Sequence, residues 1–327
     1  MGRGIRRAAP AAGAGSACCR SPGDPCYRRR VDGHRRLLLV AGAVVVGLAL
    51  GFSLSVVQAG GWDPWLSRHG IVPGYADAGR AVPALEGRRL YLDCRGTGSP
   101  TVVLEAGMGM DARSWGATFP AIAATTRTCA YSRANRWGSD PRGPHTVGEA
   151  VADLRASLAA AGEKPPFVLV GHSLGDVYVR VFAGHMRADV AGLVLIDPFG
   201  PDGFRRLIAL APPELAARWQ ANLDGNIAAV EATERLRWPA SEVELAAVAL
   251  GDLPVEVVVV PQPFATDKHI PDADRARLEA AWNAELAGVS GTTRVTFAPG
   301  ASHMIHWDRP ELVVEAVGRL LAPADGG

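Results

Sequence analysis

The strongest constraint on the fold is an alternation that begins at Arg88. Seven short runs with strand character recur along the chain: Arg89–Cys94, Thr101–Leu104, Thr128–Tyr131, Phe167–Val170, Leu193–Ile196, Val255–Val260 and Arg294–Phe297. Most are continuously apolar, as suits strands buried on both faces of a parallel sheet. Several end at a chain-turning residue, such as Gly107, Gly171 or Asp197. Stretches of helical period separate them, notably 146–161, 174–187 and 310–321, with Pro310 placed for a first helical turn. Strand and helix in turn predict an α/β domain with a mostly parallel sheet. Residues 200–252 break the pattern. They carry only helical periods, as in Pro213–Leu223 and Glu242–Leu250, over a length beyond an ordinary crossover. They read as a helical cap inserted between the fifth and sixth strands.

The fourth strand runs into Gly171-His172-Ser173-Leu174-Gly175 and then into a helix. This is G-x-S-x-G in the strand–turn–helix setting where the pattern carries chemistry. Such a turn holds the serine in a strained backbone with its hydroxyl exposed. A side chain at either glycine would collide with neighbouring backbone. The helix that follows supplies unpaired N–H groups and a positive dipole end, both suited to a developing oxyanion.

VVLEAGMG, CAYSRANRWGSD, LVLVGHSLGD, AGLVLIDP and GASHMIHWDRPELV, in that order, resemble the α/β-hydrolase superfamily, and most of all its esterase- and lipase-like serine hydrolases. The resemblance covers about residues 85–323. It implies the α/β-hydrolase fold, a mostly parallel sheet flanked by helices, over residues 87–323 with the cap at about 200–252.

A serine hydroxyl needs a base. His185, His269, His303 and His306 lie downstream. His303 follows the last strand through a Gly-Ala-Ser loop and precedes a helix, which is where the superfamily carries its base. His185 reads as a solvent or packing residue on its helix, and His306 as structural. The carboxylate that orients the imidazole has two candidates. Asp197 ends the fifth strand, as in some lipases of the fold, and Asp267 follows the sixth in an Asp-x-x-x-Pro setting. Both preserve the order Ser, acid, His. The oxyanion hole is expected from the Leu174 amide and, by resemblance, from the Met108 amide in Ala106-Gly107-Met108-Gly109. That glycine-rich loop lacks P-loop spacing and a following Lys, against a phosphate cradle.

Two departures from the family pattern stand out. Ser132-Arg133-Ala134-Asn135 replaces the usual Asp-Arg-x-Gly, so a reshaped loop is expected there. Asp176 follows Gly175 where a second glycine is usual, either as a contact with the helix dipole or as a change of polarity near Ser173. Cys94 and Cys129 lie on strands that the resemblance makes neighbours, so a disulfide is expected if the domain faces an oxidising compartment.

The N-terminus is of a different kind. Residues 1–36 hold nine Arg against Asp24 and Asp32, a net of +7, which leaves −6 for the rest of a chain whose total is +1. A balanced total excludes a whole-chain case for nucleic-acid binding. This tail is rich in Ala, Gly, Arg and Pro and reads as disordered and cytoplasmic, with Cys18, Cys19 and Cys26 as incidental thiols. No charge occurs between Arg36 and Asp63, and Leu37–Val57 is 21 residues long. About 20 helical residues cross a hydrocarbon core. Residues 37–58 are therefore expected to be a single retained membrane helix. The basic flank is then inside, residues 59–86 form a linker, and the α/β domain is extracytoplasmic. The rival is a signal peptide cut near Ala59, giving a secreted protein.

The combined expectation is a hydrolase of carboxylic esters of small or lipid-like substrates, working through an acyl-Ser173 intermediate. It needs no cofactor, since HExxH or clustered metal-ligand spacing is missing from the sequence. Phe204, Leu207, Ile208 and Leu210 of the cap are candidates for an acyl pocket. Cleavage of amide, thioester or C–C bonds, and a non-catalytic ligand-binding role for the same fold, stay open alternatives. Oligomeric state is not legible.

Overall fold

A computed structural model describes residues 77–261 and 270–322, all within the second of the two units into which the chain divides, Leu66–Gly327. Eight strands form one sheet: β1 (Arg80–Pro83), β2 (Arg89–Arg95), β3 (Thr101–Glu105), β4 (Thr128–Ser132), β5 (Phe167–His172), β6 (Val190–Ile196), β7 (Val255–Val259) and β8 (Thr293–Phe297). Their spatial order is β1-β2-β4-β3-β5-β6-β7-β8. Pairing is parallel from β4 to β8, and β2 alone runs against its neighbours.

The apolar runs become strands because both faces of the sheet are covered. Val168 and Val170 of β5, with Val194 and Ile196 of β6, pack on one face, against Trp115, Phe119, Ile122 and Val313. The intervening Phe167, Leu169, Leu193 and Leu195 pack on the other face, with Leu154, Leu158, Val177 and Phe182. The period of two along each strand divides one apolar sequence between two cores. Helices α1 (Thr118–Ala123) and α9 (Pro310–Leu321) belong to the first layer, and α2 (Val147–Ala160) and α3 (Gly175–His185) to the second. A capping box starts α2: Thr146 accepts from the Glu149 amide while the Glu149 side chain accepts from the Thr146 amide.

Between β6 and β7 the chain forms only helices, α4 (Pro201–Leu210), α5 (Pro213–Glu234) and α6 (Trp238–Ala246). These are the expected cap. Arg235, in the left-handed region at φ 59°, ends α5. Its carbonyl then accepts from the His145 amide, and the His145 carbonyl accepts from Arg237, which stitches the end of α5 to the body. Two further helices complete the described domain: α7 (Asp272–Ala287) between β7 and β8, and the single turn α8 (Ile305–Asp308) before α9.

The expected linker needs a correction at its end. Residues 80–83 pair with β2 as an edge strand, so the sheet starts seven residues before the expected domain boundary at 87. Only Val82 of these four is buried, and Pro83 is tolerated because the edge needs no donor there. Cys94 and Cys129 stand opposite each other in the β2–β4 register and are joined as a disulfide, with Cα atoms 4.0 Å apart. Residues 37–58, the expected membrane helix, lie outside the described residues. Among the described residues, no helix is long and apolar enough to cross a membrane.

Candidate active site

The chain turns sharply between β5 and α3. Ser173 takes φ 51°, the left-handed region that costs a non-glycine residue roughly 1–2 kcal/mol. The flanking glycines have a steric reason. A Cβ at Gly171 would lie 2.7 Å from the Gly175 carbonyl group, and one at Gly175 would lie 2.4 Å from the Glu105 carbonyl oxygen. The Ser173 amide donates to the Ile196 carbonyl (2.9 Å), and the Ser173 carbonyl accepts from the Phe199 amide (3.1 Å). The serine is thereby tied to both sides of residue 197.

Asp197 sits at the end of β6, also with positive φ (41°), and its amide donates to the Val258 carbonyl (2.8 Å). Its carboxylate divides its work. Oδ1 accepts from the Val260 amide (3.2 Å) and Oδ2 accepts from His303 Nδ1–H at 2.5 Å. A neutral imidazole that donates from Nδ1 keeps its lone pair on Nε2. His303 lies in the loop after β8, and Asp308 shapes that loop by accepting from the Ser302 amide and hydroxyl (2.7 and 2.6 Å). The His303 side chain is about half exposed (54%), against 13% for Asp197, so its free edge is open to an incoming molecule. The Ser173 hydroxyl makes no hydrogen bond to a described residue, His303 included, and the ring of its neighbour His172 lies 4.9 Å from the His303 ring.

His172 adds a contact that sequence reasoning did not single out. Its Nε2 donates to the His303 carbonyl (3.0 Å), linking the elbow to the loop of the base. It is fully buried, and its ring lies 4.5 Å from that of His306. Burial, together with the other two histidines, pushes His172 well below the usual imidazole range, and burial brings His306 down to about 3. Both are therefore neutral at pH 7. His306 packs against Trp115 and is not bonded to Asp197. His185, at the exposed end of α3, is apart from the site. Asp267 and His269 lie outside the described residues.

The β3–β5 register pairs Glu105 with Gly171, which carries the Ala106–Gly109 loop alongside the elbow. Neither the Met108 nor the Leu174 amide donates to another described residue. Arg133, only 4% exposed, holds the loop: Nη1 donates to Glu105 Oε1 (2.5 Å) and to the Ala106 carbonyl (2.6 Å), and Nη2 to the Gly107 carbonyl (2.8 Å). Glu105 also accepts from the Tyr131 hydroxyl. The reshaped loop expected at 132–135 has a simple basis. Asn135 adopts φ 66° where the family pattern has glycine, and Asn is the side chain that best tolerates that region. Asp176 turns away from these groups: it is buried and paired with Arg180 one helical turn on (2.7 Å).

A cavity of about 180 Å³ opens beside Phe199, lined by Phe204, Leu207, Asn222, Leu223, Asn226 and Trp282 among others. Of the candidate acyl-pocket residues, Phe204 and Leu207 line it. Ile208 and Leu210 do not, and Leu210 is exposed. Among the described residues, the one group of His, Cys and acidic side chains close enough for a metal is Cys94, Cys129 and Glu163, whose two sulfurs are bonded to each other.

The model of the alpha/beta hydrolase family matches residues 102–316. The uncharacterized protein YqjL of Bacillus subtilis (strain 168) is 27% identical over 226 residues, which cover 68% of this chain and 84% of that protein. The probable transporter efuK of Hormonema carpetanum is 35% identical over 142 residues, 41% of this chain, and the match spans only 20% of that longer protein. Among solved structures, the epoxide hydrolase CorEH superposes with a TM-score of 0.52 at 16% identity, over 76% of this chain and 99% of that one. At that identity the likeness is one of fold.

Proposed function

We propose that this chain, a member of the alpha/beta hydrolase family, is a serine hydrolase that cleaves carboxylic esters of small or lipid-like alcohols or acids. The observation that carries the reading is the contact of His303 Nδ1 with Asp197 Oδ2 at 2.5 Å, on a strand end bonded through Ile196 and Phe199 to the backbone of a strained serine whose hydroxyl has no hydrogen-bond partner among the described residues. Asp197 fixes the tautomer that leaves Nε2 basic. Nε2 takes the Ser173 proton as Oγ attacks the ester carbonyl carbon, and the carbonyl π pair moves to oxygen. The Met108 and Leu174 amides hold that oxyanion. Collapse of the intermediate expels the alcohol, which takes the proton from His303. Water, deprotonated by the same nitrogen, then attacks the acyl-enzyme, releases the acid and restores Ser173. Losing one oxyanion donor in such a site costs about 3 kcal/mol. We place the acyl or alcohol chain in the cavity beside Phe199, two residues beyond Asp197, which neither Ser173 nor His303 lines.

The localisation reading rests on the N-terminal sequence: a basic tail inside, one membrane helix at 37–58 and the hydrolase domain outside the cytoplasm. The Cys94–Cys129 disulfide suits that oxidising side. Turnover of p-nitrophenyl esters and matched anilides, by wild type and Ser173→Ala, tests the activity. Hydrolysis of esters over anilides, abolished in the variant, is the expected result. Ester hydrolysis that survives in Ser173→Ala refutes the assignment.

A further inference from the structure

The cap meets the oxyanion loop at one carboxylate. Glu234 is the last residue of α5, and its side chain is 1% exposed. Oε1 accepts from the Gly109 amide (2.6 Å) and from Arg133 Nη2 (2.9 Å), and Oε2 accepts from Arg133 Nε (3.2 Å). Arg136 closes the contact. Its Nε lies 3.6 Å from Glu234 Oε2, and its guanidinium donates to the carbonyls of Thr233, on the cap, and Gly109, on the loop.

This arrangement fixes the direction of an amide that it does not touch. The Gly107 carbonyl and the Met108 N–H belong to one planar trans peptide, so they point to opposite sides. Arg133 grips the Gly107 oxygen, which turns the Met108 N–H away from Arg133. The Ala106 carbonyl and the Gly109 amide, on either side of that peptide, are held by the same pair of side chains. Arg133 in turn lies between two acids, Glu105 on the body and Glu234 on the cap. With Glu234 removed, Arg133 has only Glu105 as a charged partner and the Gly109 amide loses its acceptor, so the peptide keeps only Arg133 and the Met110 amide, which donates to the Gly107 carbonyl (3.2 Å), to hold its plane.

We infer that Glu234 is a positioning residue of the oxyanion hole: through Arg133 and the Gly109 amide it sets the plane of the Gly107–Met108 peptide, so that a docked cap is a condition for an assembled hole. Burial alone would raise the Glu234 carboxyl. Arg133, Arg136 and the Gly109 amide more than offset this and hold it below the usual range, so it is ionised near neutral pH. The inference rests on the serine-hydrolase reading, and its test separates the two.

The test compares full-length wild type, Glu234→Ala, Glu234→Gln and Glu244→Gln by ester turnover and by the rate of fluorophosphonate labelling at Ser173, both of which need the oxyanion hole. Glu244 is the control. It is a second cap carboxylate that accepts from a body amide, that of Gly148 (2.7 Å), away from the loop. Glu234→Ala is expected to lower kcat and the labelling rate on the order of 100-fold, the scale of a misplaced oxyanion donor, with KM changed by less than about threefold. Glu234→Gln keeps an oxygen for Gly109 and is expected within about tenfold of wild type. Hydrogen exchange over residues 106–110, faster in both Glu234 variants and unchanged at 168–172, reads the loop without turnover. Wild-type kcat in a folded Glu234→Ala, a loss confined to KM, or an equal loss in Glu244→Gln overturns the inference alone. A wild-type protein that turns over no ester and takes no label at Ser173 removes the serine-hydrolase reading, and the inference falls with it.

Discussion

The nucleophile elbow and the oxyanion loop lie side by side, yet they are held by opposite means. The elbow is local: five consecutive residues, two of them glycines that leave room for backbone at 2.7 and 2.4 Å, place Ser173 at φ 51°. The loop is held at long range, by side chains from β3, from the segment after β4 and from the end of α5. Backbone constraints of the first kind survive most side-chain changes. The second kind depends on three buried charges being present together, since a buried ion left without its partner is expensive.

Two substitutions sharpen this contrast, the first with the larger effect. Asp197→Asn leaves the backbone of the elbow intact but removes the acceptor that fixes the His303 tautomer. Its kcat is expected to fall about 10⁴-fold, with a melting temperature close to that of wild type. Arg133→Met leaves Glu105 buried without its arginine and Glu234 with Arg136 alone, and its cost falls on stability, about 3–5 kcal/mol by urea unfolding. An Asp197→Asn variant with near wild-type kcat, or an Arg133→Met variant as stable as the parent, breaks the contrast.

A smaller effect tests the histidines beneath the elbow. His306 has a folded pKa of about 3 against about 6.5 when unfolded. Between those values the unfolded chain binds more protons, so stability falls as pH is lowered through that window. Each such histidine contributes about 1.4 kcal/mol per pH unit, and His172 acts in the same direction. His306→Leu should therefore lose about 2 kcal/mol less than wild type between pH 6.5 and pH 4.5. Parallel pH curves for the two proteins would contradict the burial-driven shift.

The same contrast explains what the sequence shows and what it hides. The elbow was legible because its meaning is carried by contiguous residues in a strand–turn–helix setting. The strands from β3 to β7 were legible because both faces of the sheet are buried there, which writes Val and Leu without interruption in runs such as Phe167–Val170. β1 was not, because an edge strand of four residues with only Val82 buried leaves no period. Asp197 is the favoured acid and Asp267 its alternative in the sequence, because chain order cannot distinguish them; Asp197 is found at the His303 ring, and Asp267 lies outside the described residues. The Glu105–Arg133–Glu234 network left only a trace, an acidic residue closing the apolar strand TVVLE and an Arg in a motif that departs from its family. Its partners are 28 and 101 residues apart, and no spacing rule connects them.

The most direct test of the central claim is peptide mapping of the fluorophosphonate adduct on folded protein, wild type against His303→Ala. The account predicts a single modified site, Ser173, in wild type, and a labelling rate on the order of 10³-fold lower without the imidazole. Equal labelling of the two proteins, or an adduct on any other residue, would contradict it.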